Sequence, residues 1–151
     1  MKYSAILFFF GCLWMGNEVL AHKSQTLYID TVSVEVHGTG EKARFEPAVV
    51  TISPGDVLQF VVREGRHTVT AYHPDNRRPL RMPGSAESFD SGLLASGDVW
   101  FLTISLAGVY DYYCLPHEQM GHAGRIIAGA VEAVPDYPAE GMPPAVLKIF
   151  N

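Results

Sequence analysis

Between Thr26 and Val134 the sequence is a series of short runs rich in β-branched and aromatic residues, each cut off by a turn, and no stretch keeps a helical period. That punctuation leaves little choice of architecture. Leu27, Ile29 and Thr31 fall on one parity, and Tyr28, Val32, Val34 and Val36 mostly on the other, as a strand over Thr26 to Val36 requires. His37-Gly38-Thr39-Gly40 ends it. Phe45 to Ile52 reads as a second strand, and Ser53-Pro54-Gly55-Asp56 sets Pro and Gly where a type II turn wants them. Val57 to Arg63 and Thr68 to Tyr72 follow as strands, and His73 to Leu93, with Pro74, Pro79, Pro83 and Gly84, reads as loop. Asp98 to Leu106, Val109 to Cys114 and Arg125 to Val134 complete the set. Many short strands between regular turns mean an all-β sandwich or barrel. The proline-rich tail, Pro135 to Asn151, is expected to wrap its surface.

A chain of 151 residues suits one domain, and 48% hydrophobic with 18% charged residues is a globular composition. Eleven Lys and Arg against sixteen Asp and Glu give a net charge of −5, without the clustered positive charge a nucleic-acid surface needs. At the N-terminus, Lys2 precedes an apolar run from Ile6 to Met15, and Val19-Leu20-Ala21 offers a cleavage site. The run is about half of the ~20 residues that span a bilayer. Met1 to Ala21 therefore reads as a signal peptide for export to the periplasm, leaving no membrane span. The rivals are lipidation at Cys12, which Leu13, Trp14 and Met15 argue against by prolonging the apolar run, and a retained anchor. Cleavage leaves Cys114 alone, so no internal disulfide can form. A lone thiol in an oxidising compartment is a liability unless it is buried or occupied.

Cys114-Leu115-Pro116-His117-Glu118-Gln119-Met120 puts a thiolate, an imidazole and a thioether within seven residues, between two strands. Thiolate, imidazole and a weak axial thioether are the donors of electron-transfer copper sites. Pro116 stiffens the loop and removes an N–H that would compete for the sulfur. The second histidine must come from elsewhere. His67, in Gly65-Arg66-His67-Thr68-Val69 just after a strand, is the candidate.

Three stretches together resemble the cupredoxins of plastocyanin, pseudoazurin and amicyanin type. They are Phe45-Glu46-Pro47 running on to Pro54-Gly55-Asp56-Val57-Leu58-Gln59-Phe60; His67-Thr68-Val69; and Tyr110-Asp111-Tyr112-Tyr113-Cys114-Leu115-Pro116-His117. The resemblance covers Thr26 to Val134 within a domain of residues 22–134, and implies a Greek-key β-sandwich of about eight strands. It further implies one type 1 copper ion on His67, Cys114, His117 and an axial donor, and single-electron transfer. Thr68 departs from the family, which usually has Asn there, and this puts in question the hydrogen bond that ties the two ligand loops. The loop Tyr72 to Ser91 is also long for a minimal member.

For the axial position Met120 is three residues after His117, the amicyanin-like spacing. His122 is five after it, where plastocyanin and pseudoazurin carry their Met. Met120 is the expectation, because a thioether is the usual weak donor, and His122 is the alternative. His73 and His37 read as surface histidines, and Met82 and Met142 as packing residues. Nothing points to an enzyme. A monomer is expected, docking transiently on redox partner proteins through Leu115, Pro116 and His117. The rival function is copper tolerance or delivery, for which His22, His73, His122 and Met82 would supply further sites.

Overall fold

A computed structural model describes residues 28–150; the export segment Met1 to Ala21 and the candidate ligand His22 lie outside them. Among the described residues the strands are β1 (Thr31–His37), β2 (Arg44–Glu46), β3 (Val49–Ile52), β4 (Val57–Val62), β5 (Arg66–His67), β6 (Thr70–Ala71), β7 (Leu94–Ala95), β8 (Val99–Thr103), β9 (Gly108–Tyr113) and β10 (Ala123–Ala128), followed by a helix α1 (Pro144–Phe150). Eight of them form two four-stranded sheets, in the orders β2-β1-β4-β8 and β3-β10-β9-β6, and β5 with β7 makes a short ribbon. The parallel pairs β1/β4 and β3/β10 close the Greek-key sandwich, and the remaining pairs are antiparallel. No described helix is long and apolar enough to cross a membrane.

Period-2 patterning builds the core. Val34 and Val36 of β1, Leu58 and Phe60 of β4, and Tyr112 and Ile126 of the facing sheet are all fully buried. Each large side chain so buried contributes about 1.5–3 kcal/mol. The turn before β4 is closed by Asp56, whose carboxylate accepts from the Ser53 N–H at 2.7 Å and the Asp30 N–H at 3.2 Å. The Pro-Gly-Asp element thus locks β1 beside β4.

Three expectations need correction. Phe45 to Ile52 is two strands in different sheets, because Pro47 has no N–H to give a ladder and the chain crosses over between Glu46 and Val49. The last strand ends at Ala128 and not at Val134, since both its neighbours run out there: Ala128 pairs with Ile52 on one side and Gly108 on the other. The tail ends in a helix, α1, whose seven residues are too few to register a helical period, although Pro144 suits its first position.

The tail is pinned by a buried charge network. Asp111, fully buried on β9, accepts from Arg125 Nε at 2.6 Å and Nη2 at 2.9 Å, and from Arg81 Nε at 2.9 Å. The same guanidiniums donate onward to tail carbonyls, Arg81 to Pro138 at 2.7 Å and Arg125 to Phe150 at 3.3 Å. Met142 and Val146 then pack with Tyr72, Tyr113 and Ala123 in a second apolar cluster.

Candidate metal centre

Four chain segments meet at one end of the sandwich. β5 delivers His67, the end of β9 delivers Cys114, a 3₁₀ turn over Leu115–Met120 carries His117, and His122 sits just before β10. One donor atom from each of His67, Cys114, His117 and His122 lies within 4.8 Å of all the others. Cys114 Sγ is 3.6 Å from His67 Nδ1 and 3.4 Å from His117 Nδ1. With the bond lengths of tetrahedral zinc sites, about 2.3 Å to sulfur and about 2.0 Å to nitrogen, two such donors on one ion stand about 3.5 Å apart. The spacing and the soft, mixed donor set both fit a single transition-metal ion.

The tautomer of His67 follows from its surroundings. The ring is fully buried and its Nε2 lies 2.7 Å from the Glu64 carbonyl, which can only accept. Nε2 therefore carries the proton, leaving the Nδ1 lone pair facing Cys114, as metal-binding histidines usually arrange. Gly65 makes the approach possible. Its φ is +88°, and a Cβ there would stand 2.8 Å from both His67 Nε2 and the Gly38 carbonyl oxygen.

Cys114 is fully buried, and burial pushes its thiol up to about 11. The Thr68 backbone N–H, 3.4 Å from Sγ, pulls the other way. Metal binding would supply the missing stabilisation of the thiolate. The loop tie that Thr68 put in question is made: the Leu115 N–H donates to Thr68 Oγ1 at 2.8 Å. The threonine hydroxyl is also 2.9 Å from Thr70 Oγ1, which in turn bonds Asp90 at 3.0 Å.

His117 is half-buried, and burial, then the neighbouring His67, lowers its basicity. Met120 closes the 3₁₀ turn and is 39% exposed. Burial, then His67 and His117, push His122 down to about 3, against a weak opposing pull from the Arg44 backbone carbonyl, so its ring is neutral. It is 0% exposed, and neither ring nitrogen has a partner in hydrogen-bonding geometry.

The other flagged side chains have local roles. His73 Nδ1 accepts from the Asp75 N–H at 3.2 Å and caps a 3₁₀ turn, and His37 pairs with Glu35 at 2.9 Å. Met82 packs in the main core and Met142 under α1. Sequence reading missed Glu118, which is buried within the ligand turn and accepts from Tyr72 Oη at 3.0 Å and Arg78 Nη2 at 2.6 Å. It also missed Asp111, although a carboxylate inside Tyr110-Asp111-Tyr112-Tyr113 is the kind of interruption that signals a buried partner.

Residues 32–129 match the family described as copper binding proteins, plastocyanin/azurin family. Pseudoazurin of Paracoccus pantotrophus is 36% identical over 85 residues, 56% of this chain and 52% of that protein. The match thus spans only about half the length of that relative. Plastocyanin of Prochlorothrix hollandica is 32% identical over 98 residues, covering 64% and 71% of the two chains. Among solved structures, a pseudoazurin from Sinorhizobium meliloti superposes with a TM-score of 0.54 at 30% identity, covering 81% of this chain and 94% of that one.

Proposed function

The chain belongs to the plastocyanin/azurin family of copper-binding proteins, and on that premise we propose that it is a carrier of single electrons, not an enzyme, with one type 1 copper held by His67, Cys114 and His117 and an axial donor drawn from Met120 or His122. The observation that carries this reading is the convergence of Cys114 Sγ with two imidazole Nδ1 atoms at 3.4 and 3.6 Å in a buried pocket. Bound copper would supply the one-electron couple between Cu(II) and Cu(I). Cys114 contributes a soft thiolate suited to Cu(I), and the imidazoles suit Cu(II). Thr68, Glu64 and the sandwich behind them hold these donors so that neither oxidation state requires them to move.

His117 is the exit for the electron. It is half-buried and follows the exposed Leu115 and Pro116 in the chain, Leu115 at 57%. That small apolar patch suits the brief, small-area contacts of redox partners. We further propose a monomer, exported to the periplasm, in which Met1 to Ala21 is removed, residues 22–134 form the copper domain and 135–151 form its tail.

Copper handling instead of electron relay would call for a second site. His73 and His37 are engaged elsewhere, and among the described residues the only metal-ligand group of His, Cys and carboxylates is this one. Loading the protein with copper(II) should give an intense thiolate-to-copper absorption at one copper per chain, abolished in Cys114→Ser. Two or more tightly held coppers, or a band that survives Cys114→Ser, would overturn the proposal.

A further inference from the structure

We infer that the fourth donor of the copper site is the imidazole of His122 and not the thioether of Met120. This rests on the copper reading above and deepens it.

His122 is a buried side chain whose packing explains its carbons, while neither nitrogen has a partner in hydrogen-bonding geometry, although the Arg44 carbonyl is near enough to act on the ring. The ring lies against Phe45 with centroids 4.1 Å apart, and 5.1 and 5.8 Å from the rings of His67 and His117. Among the described side chains the buried nitrogen and oxygen atoms without a partner are both nitrogens of His122 and the hydroxyl of Tyr112. Leaving a buried polar atom unsatisfied forfeits its hydration without replacement, and native proteins keep few of them. Here one of those nitrogens already belongs to a set of four donors within 4.8 Å of each other. A metal ion bound by His67, Cys114 and His117 would give it the partner it lacks.

The backbone holds His122 within the donor cluster and leaves Met120 partly exposed. Gly121, with φ +88°, turns the chain directly after Met120, and a Cβ there would crowd Ala145 of α1 at 3.1–3.3 Å. Beyond that turn His122 is tied to both ligand residues: its carbonyl accepts from the Cys114 N–H at 2.9 Å, and its N–H donates to the His117 carbonyl at 3.3 Å. Met120, on the other side of the turn, is exposed at 39%.

The substitution has a chemical consequence. Thioether favours Cu(I), whereas a third imidazole favours Cu(II). The site should bind Cu(II) more tightly relative to Cu(I) than the same site with a methionine, and so have a lower reduction potential.

The test compares reduction potentials of the copper-loaded parent, His122→Met and Met120→Leu, with X-ray absorption on the parent. His122→Met should keep its colour and lower the Cu(II)/Cu(I) affinity ratio by about tenfold or more, a rise of about 59 mV per tenfold for a one-electron couple. Met120→Leu should stay within about twofold of the parent, the change expected of an exposed residue outside the coordination sphere. Absorption on the parent should count three nitrogens and one short sulfur, a readout that holds even if His122→Met fails to fold. Two nitrogens with a second, longer sulfur, or a large shift in Met120→Leu with none in His122→Met, would overturn the inference while leaving the copper reading intact. A parent without a thiolate-to-copper band would overturn both.

Discussion

Replacing Thr68 by valine tests whether the hydroxyl takes over the loop tie that the family usually makes with asparagine. Valine keeps the shape and removes the oxygen that accepts the Leu115 N–H at 2.8 Å. Thr70 retains Asp90 at 3.0 Å, so its loss is small. The backbone N–H of residue 68 still reaches Cys114 Sγ, so the thiolate environment is largely kept. The cost is therefore that of one stranded amide, about 1–3 kcal/mol. Residue 68 is buried but Leu115 is exposed, which puts the value near the middle, about 2 kcal/mol. With a urea slope of about 1–3 kcal/mol per molar, the unfolding midpoint should fall by roughly 1 M. Urea titration of the metal-free protein, followed by circular dichroism, measures it. Thr68→Ser keeps the oxygen and gives up one methyl, so it should lose only about 0.8 kcal/mol. If Thr68→Ser proves as costly as Thr68→Val, or Thr68→Val shifts the midpoint by less than about 0.2 M, the hydroxyl does not tie the ligand loops.

Asp111→Asn should destabilise by about 3–5 kcal/mol, because it strands two buried guanidiniums, and the melting temperature should drop by about 10 °C or more in calorimetry. Glu118→Gln should cost about 2 kcal/mol, less than Asp111→Asn because Arg78 is partly exposed and can turn to water; equal losses in urea titration would refute the distinction. Gly65→Ala should cost at least about 1–2 kcal/mol from its left-handed backbone, and it should also weaken copper uptake in a competition titration, since the new Cβ presses on His67. Stripping copper with a chelator should lower the melting temperature, and restoring free copper to 100 times its dissociation constant should return about 2.7 kcal/mol.

The strand content, the sandwich and the convergence of Cys114 and His117 were legible in the sequence because they are local. Alternation of period 2 marks a strand whatever it packs on, and Cys114, Pro116 and His117 stand within four residues of each other. His67 is 47 residues from Cys114, and only its place just after a strand and the resemblance to a known family pointed to it in advance. Where the chain changes sheets at Pro47, and where β10 stops, depended on which neighbours each strand had, and neighbours are a property of the assembled sheets. The same holds for Asp111, which lies 30 residues from Arg81 and 14 from Arg125, and for Glu118, whose partner Arg78 is 40 residues away. Met120 and His122 show the limit most plainly. Spacing from His117 allowed either, and donor chemistry favoured the thioether. Their surroundings differ only in the tertiary structure, because burial and unpaired nitrogens come from what lies around a ring in space: Phe45, His67 and His117 lie around the fully buried His122, while Met120 is 39% exposed.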